Sequence, residues 1–145
     1  MGKAANSSIS LKQIHVTDNF WNKYVHLVKD VIIPYQWDIL NDKLEDVETS
    51  HCIENFKIAA GEKEGEFQGA VFQDTDVAKW LEAVGFVLNY ERDEKLEELA
   101  DETIELIGRA QQPDGYLNTY FTIKEPDGRW SNLMEGHELY TAGHM

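Results

Sequence analysis

The chain has 145 residues, a hydrophobic fraction of 42% and a formal net charge of −14. This length suits one domain with a sizeable core, and the hydrophobic fraction together with four tryptophans excludes a disordered tail. The acidic balance argues against nucleic acid or an anionic membrane surface as a partner, because both are bound by basic patches.

The N-terminal region shows no targeting signal. Met1–Ser10 is small and polar and lacks the apolar segment of a secretory signal, and no apolar run approaches the ~18 residues that span a bilayer. We therefore expect a cytoplasmic protein. Weak alternation over residues 8–17 indicates an edge strand, so residues 1–17 are assigned as an N-terminal extension or edge strand.

The first helical pattern begins after Asp18, which is a plausible N-cap. Its apolar residues recur at steps of three and four as far as Pro34, where the missing N–H should interrupt or kink the helix. An acidic surface loop over residues 42–50 follows. Ser50 is expected to cap a short helix that Gly61 ends in a left-handed conformation.

The single cysteine limits the chemistry of this region. Cys52 cannot form an internal disulfide or a cysteine-based zinc site, and we expect it to be a small buried side chain. The loop Glu62–Gly69 carries three glutamates. These are expected to be solvated, although they could also serve as functional carboxylates.

A second long helix is predicted to begin near Asp74 or Thr75, either of which can cap it, and to run to about Asn89. Asp76 then lies in the first turn, where a negative charge suits the helix dipole. Together with Gln73 these residues form a polar cluster, although capping alone would account for them. The apolar stripe of this helix comprises Val77, Trp80, Leu81, Val84 and Leu88.

The next predicted helix has an apolar stripe and an acidic face. The stripe comprises Leu96, Leu99, Ala100, Thr103, Ile104 and Ile107. The acidic face comprises Glu94, Glu97, Glu98, Asp101, Glu102 and Glu105. We expect this face to be solvated rather than to bind a partner. Because only residues 90–93 join the two helices, they should form an antiparallel hairpin that further helices cover.

Turn signals surround the following part of the chain. Gln111–Gly115 and Pro126–Gly128 are predicted turns, and Tyr116–Ile123 between them is a predicted short strand. The aromatic residues near these turns are Tyr116, Tyr120, Phe121 and Trp130. Loop aromatics either stack against a sugar ring or pin loops to the core, and the sequence leaves both interpretations open.

The C-terminal segment Leu133–Met145 is predicted to start a helix. On this helix His137 and His144 lie nearly two turns apart and share one face. Such a face can line a polar pocket. The i, i+4 histidine spacing typical of a metal site is absent, so we expect no metal in this segment.

Four separated motifs resemble the start of the bacterial β-L-arabinofuranosidase family of glycoside hydrolases. They are NFKIAAGE at residues 55–62, VFQDTDVAKWLEA at 71–83, AQQPDGYLNT at 110–119, and HELY with GHM at 137–145. The resemblance runs from about Ile14 to the last residue. The order of the motifs makes it specific to the family, though not to one substrate.

The resemblance implies an all-α fold, with minor β in loops, whose helical hairpins form part of an (α/α)6 toroid. Residues 18–145 would be the N-terminal portion of the catalytic domain, incomplete at the C-terminus, and would pack against the remainder of that domain. Family members remove terminal L-arabinofuranose from β-linked arabino-oligosaccharides with retention of configuration.

The resemblance also implies where the chemistry lies. The zinc-bound cysteine nucleophile, the glutamate acid/base and the other zinc ligands lie later in the family's sequence, so this segment alone should contain no catalytic residue and be inactive. His137 matches the histidine of the family's His-Glu-x-Tyr segment, which contacts the sugar. Further candidate substrate-binding residues are Glu138, His144, Gln73 and Asp74. The loop Glu45–Ser50 is shorter than its counterpart in the compared family member, so specificity could differ.

Two other interpretations stay open. A free-standing helical sugar-binding or protein-interaction module should finish and cap its last helix, whereas no C-terminal signal precedes Met145. A toroid glycosidase of different specificity, such as one acting on uronates, should show basic pocket residues, and no such cluster is evident. An incomplete toroid would leave apolar faces uncovered, so the isolated segment is expected to self-associate or to be loosely packed.

Overall fold

The structure, a computed structural model, describes residues 9–145, and within these residues the chain is helical without β-strands. The α-helices are α1 (Asn19–Leu27), α2 (Ile33–Leu40), α3 (Cys52–Ala59), α4 (Asp74–Tyr90), α5 (Glu94–Ala110), α6 (Thr119–Ile123), α7 (Leu133–Gly136) and α8 (Glu138–His144). This confirms the expected all-α class. The helical hairpins are consistent with part of an (α/α)6 toroid.

Residues 9–17 do not form the expected edge strand, so that prediction is wrong for the residues that the structure describes. Residues Leu11–Gln13 form a 3₁₀ turn instead, while Ser8 lies outside the described residues. No neighbouring strand within residues 9–145 offers this segment a hydrogen-bonded ladder. Asp18 is the N-cap of α1 as expected, because its carboxylate accepts hydrogen bonds from the N–H groups of Phe20 and Trp21.

The interruption expected at Pro34 takes the form of a π-helical segment. Residues Val28–Ile32 form this segment between α1 and α2, and the N–H of Ile33 bonds to the carbonyl of Val28, five residues earlier. Pro34 lies in the first turn of α2, where it donates no backbone hydrogen bond. A π turn is a usual way for a helix to absorb such a disruption without ending.

The cap of α3 differs from the prediction. His51, not Ser50, occupies the N-cap, with a φ of +56°, and its side chain makes no capping bond. A carboxylate oxygen of Asp42 instead accepts hydrogen bonds from the N–H groups of Ser50 and His51, at 2.6 and 3.0 Å. Gly61 adopts the expected left-handed conformation after the helix, with a φ of +73°.

The hairpin of α4 and α5 forms as predicted, and Asp93 caps α5 by accepting from the N–H groups of Lys95 and Leu96. One position of the α5 stripe is wrong: Ile104 is 54% exposed, and Leu106 is buried in its place. The buried cluster comprises Ile33, Leu40, Cys52, Ile53, Phe56, Val77, Trp80, Val84, Val87, Ala100, Leu106 and Ala110. This core joins α2 and α3 to the hairpin.

The strand predicted for Tyr116–Ile123 is wrong, because Thr119–Ile123 is the helix α6. Asn118 caps this helix by accepting from the N–H of Phe121. Of the β-branched and aromatic residues that favoured a strand, Thr119 and Phe121 are buried. The flanking turns are confirmed, with Gly115 at a φ of +86° and residues Pro126–Gly128 in a 3₁₀ turn.

The C-terminal segment is also not one continuous helix. It consists of α7 and α8, separated at His137, whose φ of +49° is incompatible with a right-handed helix. Gly136 precedes the break and packs closely on α6: a Cβ there would lie 2.9 Å from Cζ of Phe121. The break places the His137 side chain beside the residues that precede α4 rather than along α8.

Candidate functional site

The most distinctive surface lies where the beginning of α4 meets α8. The ring of Phe72 contacts the ring of His137 edge-on, with centroids 5.3 Å apart, and lies 6.5 Å from the ring of Tyr140. The ring of Tyr140 in turn lies 4.7 Å from that of His144. All four side chains are exposed, and we call them the aromatic row. An exposed row of rings with two imidazoles can offer both a stacking surface and hydrogen bonds to a ligand.

The two histidines of the row were expected to lie close together because they share one face of a single helix. That expectation is wrong, because the segment is not a single helix. His137 is the N-cap of α8 in a left-handed conformation, whereas His144 lies in the last turn of that helix. They are brought together instead by Phe72 and Tyr140, which bridge the space between them. The sequence could not show this, because Phe72 reaches the row from a distant part of the chain.

Charged groups flank the aromatic row on the α4 side. The ammonium nitrogen of Lys79 lies 5.5 Å from the centroid of the Tyr140 ring, 3.1 Å from Oγ1 of Thr75 and 3.6 Å from Oδ1 of Asp76. Hydrogen bonding to Tyr140 is the largest of the influences that raise the pKa of Lys79, and the charge of Asp76 acts in the same direction. Lys79 was not among the predicted site residues.

Gln73 organises the polar end of α4. Its Nε2 donates to Oδ2 of Asp76 at 2.9 Å and to Oγ of Ser50 at 3.3 Å, and its Oε1 accepts from the N–H of Ala70 at 3.2 Å. It is also the N-cap residue of α4, a position expected for Asp74 or Thr75. Beside it lies an open cleft of about 480 Å³, whose polar lining is formed by Gln36, Ser50, Asp76 and Lys79.

Asp74 is buried rather than displayed at this surface. Only 1% of the residue is exposed, and its two carboxylate oxygens accept hydrogen bonds from the N–H of Thr119 at 2.7 Å and from Oγ1 of Thr119 at 2.5 Å. Burial raises the pKa of Asp74 to about 6, although the Thr119 hydrogen bonds act to lower it. The carboxylate therefore links α4 to α6, which favours a structural role over contact with a ligand.

Glu138 is buried too, directly after the exposed His137. Its Oε1 accepts a hydrogen bond from the hydroxyl of Tyr116, and its Oε2 accepts one from the N–H of Trp130 at 2.5 Å. Burial, followed by the hydrogen bond to Glu138, raises the pKa of Tyr116. The rings of Tyr116 and Trp130 pack edge-on, 5.5 Å apart. For Tyr116 and Trp130, these contacts favour the interpretation that the aromatic side chains hold the loops in place rather than stack against a sugar.

A zinc thiolate does not fit the residues present. Within residues 9–145, no group of three or more His, Cys, Asp and Glu side chains is placed to hold a metal ion. Cys52 is fully buried, its Sγ lies 3.4 Å from the carbonyl oxygen of Gln73, and burial raises the pKa of the thiol well above its usual value. This confirms Cys52 as a small buried side chain and gives it no nucleophilic role.

The family model for the β-L-arabinofuranosidase GH127 catalytic domain matches residues 13–145. The chain belongs to this family. Among curated proteins, it is 40% identical to the non-reducing end β-L-arabinofuranosidase of Bifidobacterium longum subsp. longum over 147 aligned positions, which cover 90% of this chain and 22% of the relative.

Solved GH127 structures share the fold. The crystal structure of Ara127N-Se, a GH127 β-L-arabinofuranosidase from Geobacillus stearothermophilus T6, matches 90% of this chain and 20% of its own, at 64% identity and a TM-score of 0.88. A second GH127 β-arabinofuranosidase matches 94% of this chain and 22% of its own, at 30% identity and a TM-score of 0.81. The chain thus spans about a fifth of the length of these relatives. None of the helices in residues 9–145 is long and apolar enough to cross a membrane.

Proposed function

We propose that this chain forms one wall of the sugar pocket in a retaining glycoside hydrolase of the GH127 family that removes terminal L-arabinofuranose from β-linked arabino-oligosaccharides. The observation that carries the proposal is the exposed aromatic row. It contains His137, which by the motif resemblance matches the sugar-contacting histidine of the family's His-Glu-x-Tyr segment. The carbohydrate is therefore the expected small-molecule partner, and the helical hairpins are proposed to form part of the (α/α)6 toroid.

The residues of the aromatic row supply binding and orientation in this proposal. An imidazole nitrogen of His137 hydrogen-bonds a sugar hydroxyl, and the rings of Phe72 and Tyr140 are available to the C–H faces of the sugar. Holding the sugar in one orientation lowers the entropic part of the barrier for attack at the anomeric carbon. His144 extends the same surface, and Gln73 supports it from the start of α4.

The catalytic groups are proposed to come from elsewhere in the enzyme. A retaining glycosidase requires a nucleophile on one face of the anomeric carbon and an acid/base nearby. The described residues do not fit the zinc-bound thiolate that the family resemblance implies, and the buried Cys52 is not its equivalent. The nucleophile, the acid/base and the zinc ligands are therefore assigned to the remainder of the catalytic domain. The cytoplasmic location expected from the sequence stays a prediction.

The proposal is tested by comparing this chain with the intact protein that carries it, using an aryl β-L-arabinofuranoside as substrate. We expect zinc-dependent release of the aryl group by the intact protein and none by the purified 145-residue chain. Aryl uronides and aryl α-L-arabinofuranosides serve as control substrates. Zinc-dependent turnover by the 145-residue chain would contradict the assignment of the catalytic groups to the remainder of the catalytic domain. An intact protein that cleaves only a control substrate would contradict the assigned specificity.

A further inference from the structure

We propose that Glu138 is a positioning residue: its buried carboxylate, held by Tyr116 and by the backbone of Trp130, fixes the left-handed turn at His137 and thereby orients the His137 imidazole toward the sugar. The inference rests on the proposed function, since it assigns the buried support of the same site. It concerns a residue that the sequence placed among candidates for direct substrate contact.

The burial of Glu138 excludes direct contact with a ligand in this arrangement. The residue is 1% exposed, although its neighbours on either side, His137 and Leu139, are exposed. Each carboxylate oxygen already accepts a hydrogen bond from the protein, one from a phenol and one from a backbone N–H. A buried carboxylate is costly unless it is hydrogen-bonded in this way, so a residue without a structural task would be apolar here.

The carboxylate joins two strained points of the backbone. Trp130 has a φ of +61° and His137 has a φ of +49°, and both values are unfavourable for residues with a Cβ. Such conformations persist only where the surroundings determine them, and they concentrate at functional sites. The carboxylate of Glu138 accepts a bond from the N–H of Trp130, and its own backbone directly follows His137. A single side chain therefore ties the two turns together.

Further contacts hold the opposite end of this arrangement. The guanidinium carbon of Arg129 lies 4.0 Å from the centroid of the Tyr116 ring, and its Nη1 donates to Oδ2 of Asp114 at 3.3 Å. The Tyr116 ring is thus fixed on its face by Arg129 and at its hydroxyl by Glu138. In this proposal, the position of the His137 ring against Phe72 depends on these contacts, which meet at the buried carboxylate of Glu138.

The structure offers a matched pair of substitutions. Tyr116→Phe removes the hydroxyl that donates to Glu138 and leaves the ring in place. Tyr120→Phe removes a hydroxyl that donates to Glu125 at 2.6 Å, which is the same kind of phenol–carboxylate hydrogen bond at an exposed site. Glu138→Gln keeps the side-chain size while removing one acceptor oxygen and the charge. All three changes conserve shape, so folded variants are expected.

We expect Tyr116→Phe and Glu138→Gln each to lower kcat/KM for an aryl β-L-arabinofuranoside by about tenfold in the intact protein, as for loss of a hydrogen bond to a charged group. Tyr120→Phe should change kcat/KM by less than about twofold. In a His137→Ala background, the added effect of Tyr116→Phe should disappear, because the residue acts through the missing imidazole. Full additivity in that double-mutant cycle would overturn the proposal.

A second readout separates this inference from the proposed function. In intact protein labelled with ¹³C at histidine Cε1, the His137 signal should shift in Tyr116→Phe and Glu138→Gln and stay in place in Tyr120→Phe. A shifted signal in a protein that does not cleave arabinofuranosides would support the positioning role while contradicting the proposed function. An unshifted His137 signal in both variants would overturn the positioning role whatever the activity.

Discussion

At the residue scale, Asp74 shows how burial and partners decide what a carboxylate does. The sequence offered this residue as a helix cap or a ligand for sugar. In the structure its oxygens are both occupied by Thr119, and burial raises the pKa of the carboxyl to about 6. A carboxyl with such a pKa changes its charge between mildly acidic and neutral pH, so it should couple the contact between α4 and α6 to pH.

We predict that Asp74 makes the chain less stable as the pH rises from about 4 to 6. The pKa in the folded state lies above the ordinary value of 3.8, so the folded state binds more protons than the unfolded state in this window. The contribution is fully present below pH 3.8 and is lost as the pH rises to about 6, with a total change of about 3 kcal/mol.

The substitution that tests this effect is Asp74→Asn, since an amide can accept from the Thr119 N–H and donate to its hydroxyl oxygen. Unfolding of the chain followed from pH 4 to 7 should show a flatter pH dependence in Asp74→Asn than in the wild type. Asp76→Asn, on the exposed side of the same turn, is the control. If the stability of Asp74→Asn depends on pH as steeply as that of the wild type, the Asp74 carboxyl does not titrate as described.

At the scale of the elements, hydrophobic periodicity predicted the helices whose formation depends on the local sequence pattern. The hairpin of α4 and α5 was predicted with its connection, because seventeen-residue amphipathic helices carry a strong 3.6-residue signal. The strand expected over Tyr116–Ile123 was wrong because the segment is short and its helix α6 depends on Asn118 and on the distant Asp74. Propensity is a weak guide where tertiary contacts decide the structure.

The candidate site was predictable only in part for the same reason. His137 was proposed from its match to a family motif, and the helical spacing to His144 that also pointed to it does not hold, because His137 lies at a break between two helices. Phe72 and Lys79 complete the surface through contacts with α8 that no local pattern encodes. The burial of Glu138 also could not be foreseen, since its hydrogen-bond partners Tyr116 and Trp130 lie on two separate segments, before and after α6.

The short helices around the His137 turn give a prediction at this scale. Gly136→Ala should destabilise the chain by about 1–3 kcal/mol, because the new Cβ would lie 2.9 Å from the buried Phe121 ring. Gly85→Ala, within α4, meets open space and should stabilise the chain by about 0.5–1 kcal/mol. Urea unfolding of the two variants measures both changes in the free energy of unfolding, which should have opposite signs. Equal effects at the two positions would argue against the tight packing of α7 on α6.

At the scale of the whole molecule, the uncovered apolar surface lies away from the buried stripe of α4. Val77, Trp80 and Val84 of α4 are buried, so the core-facing side of this helix is covered. Within residues 9–145, the largest group of exposed apolar side chains lies on α1 and the segments after it: Phe20, Trp21, Tyr24, Leu27, Val31, Ile32 and Tyr35. A smaller group lies on α7 and α8: Leu133, Met134, Leu139 and Tyr140. Beside α1 lies a nearly apolar cleft of about 530 Å³ between this helix and α4.

We predict that the purified chain self-associates through the α1 surface, despite a net charge of −14 that opposes association. Sedimentation over a range of concentrations should show association that Trp21→Glu weakens. Ile104→Glu adds the same charge at an isolated exposed site on α5 and should leave association nearly unchanged. A strict monomer with a sharp thermal transition and no binding of a hydrophobic dye would favour a self-contained module over part of a toroid.

In the proposed function His137 contacts the sugar, and the kinetics of His137→Ala in the intact protein are the sharpest test of that contact. With an aryl β-L-arabinofuranoside, we expect kcat/KM to fall by an amount equivalent to about 1–3 kcal/mol, while the thermal unfolding of the protein is unchanged. His26→Ala, an exposed histidine on α1, should keep wild-type kinetics. Wild-type kcat/KM in a folded His137→Ala variant would contradict the proposed contact between His137 and the sugar.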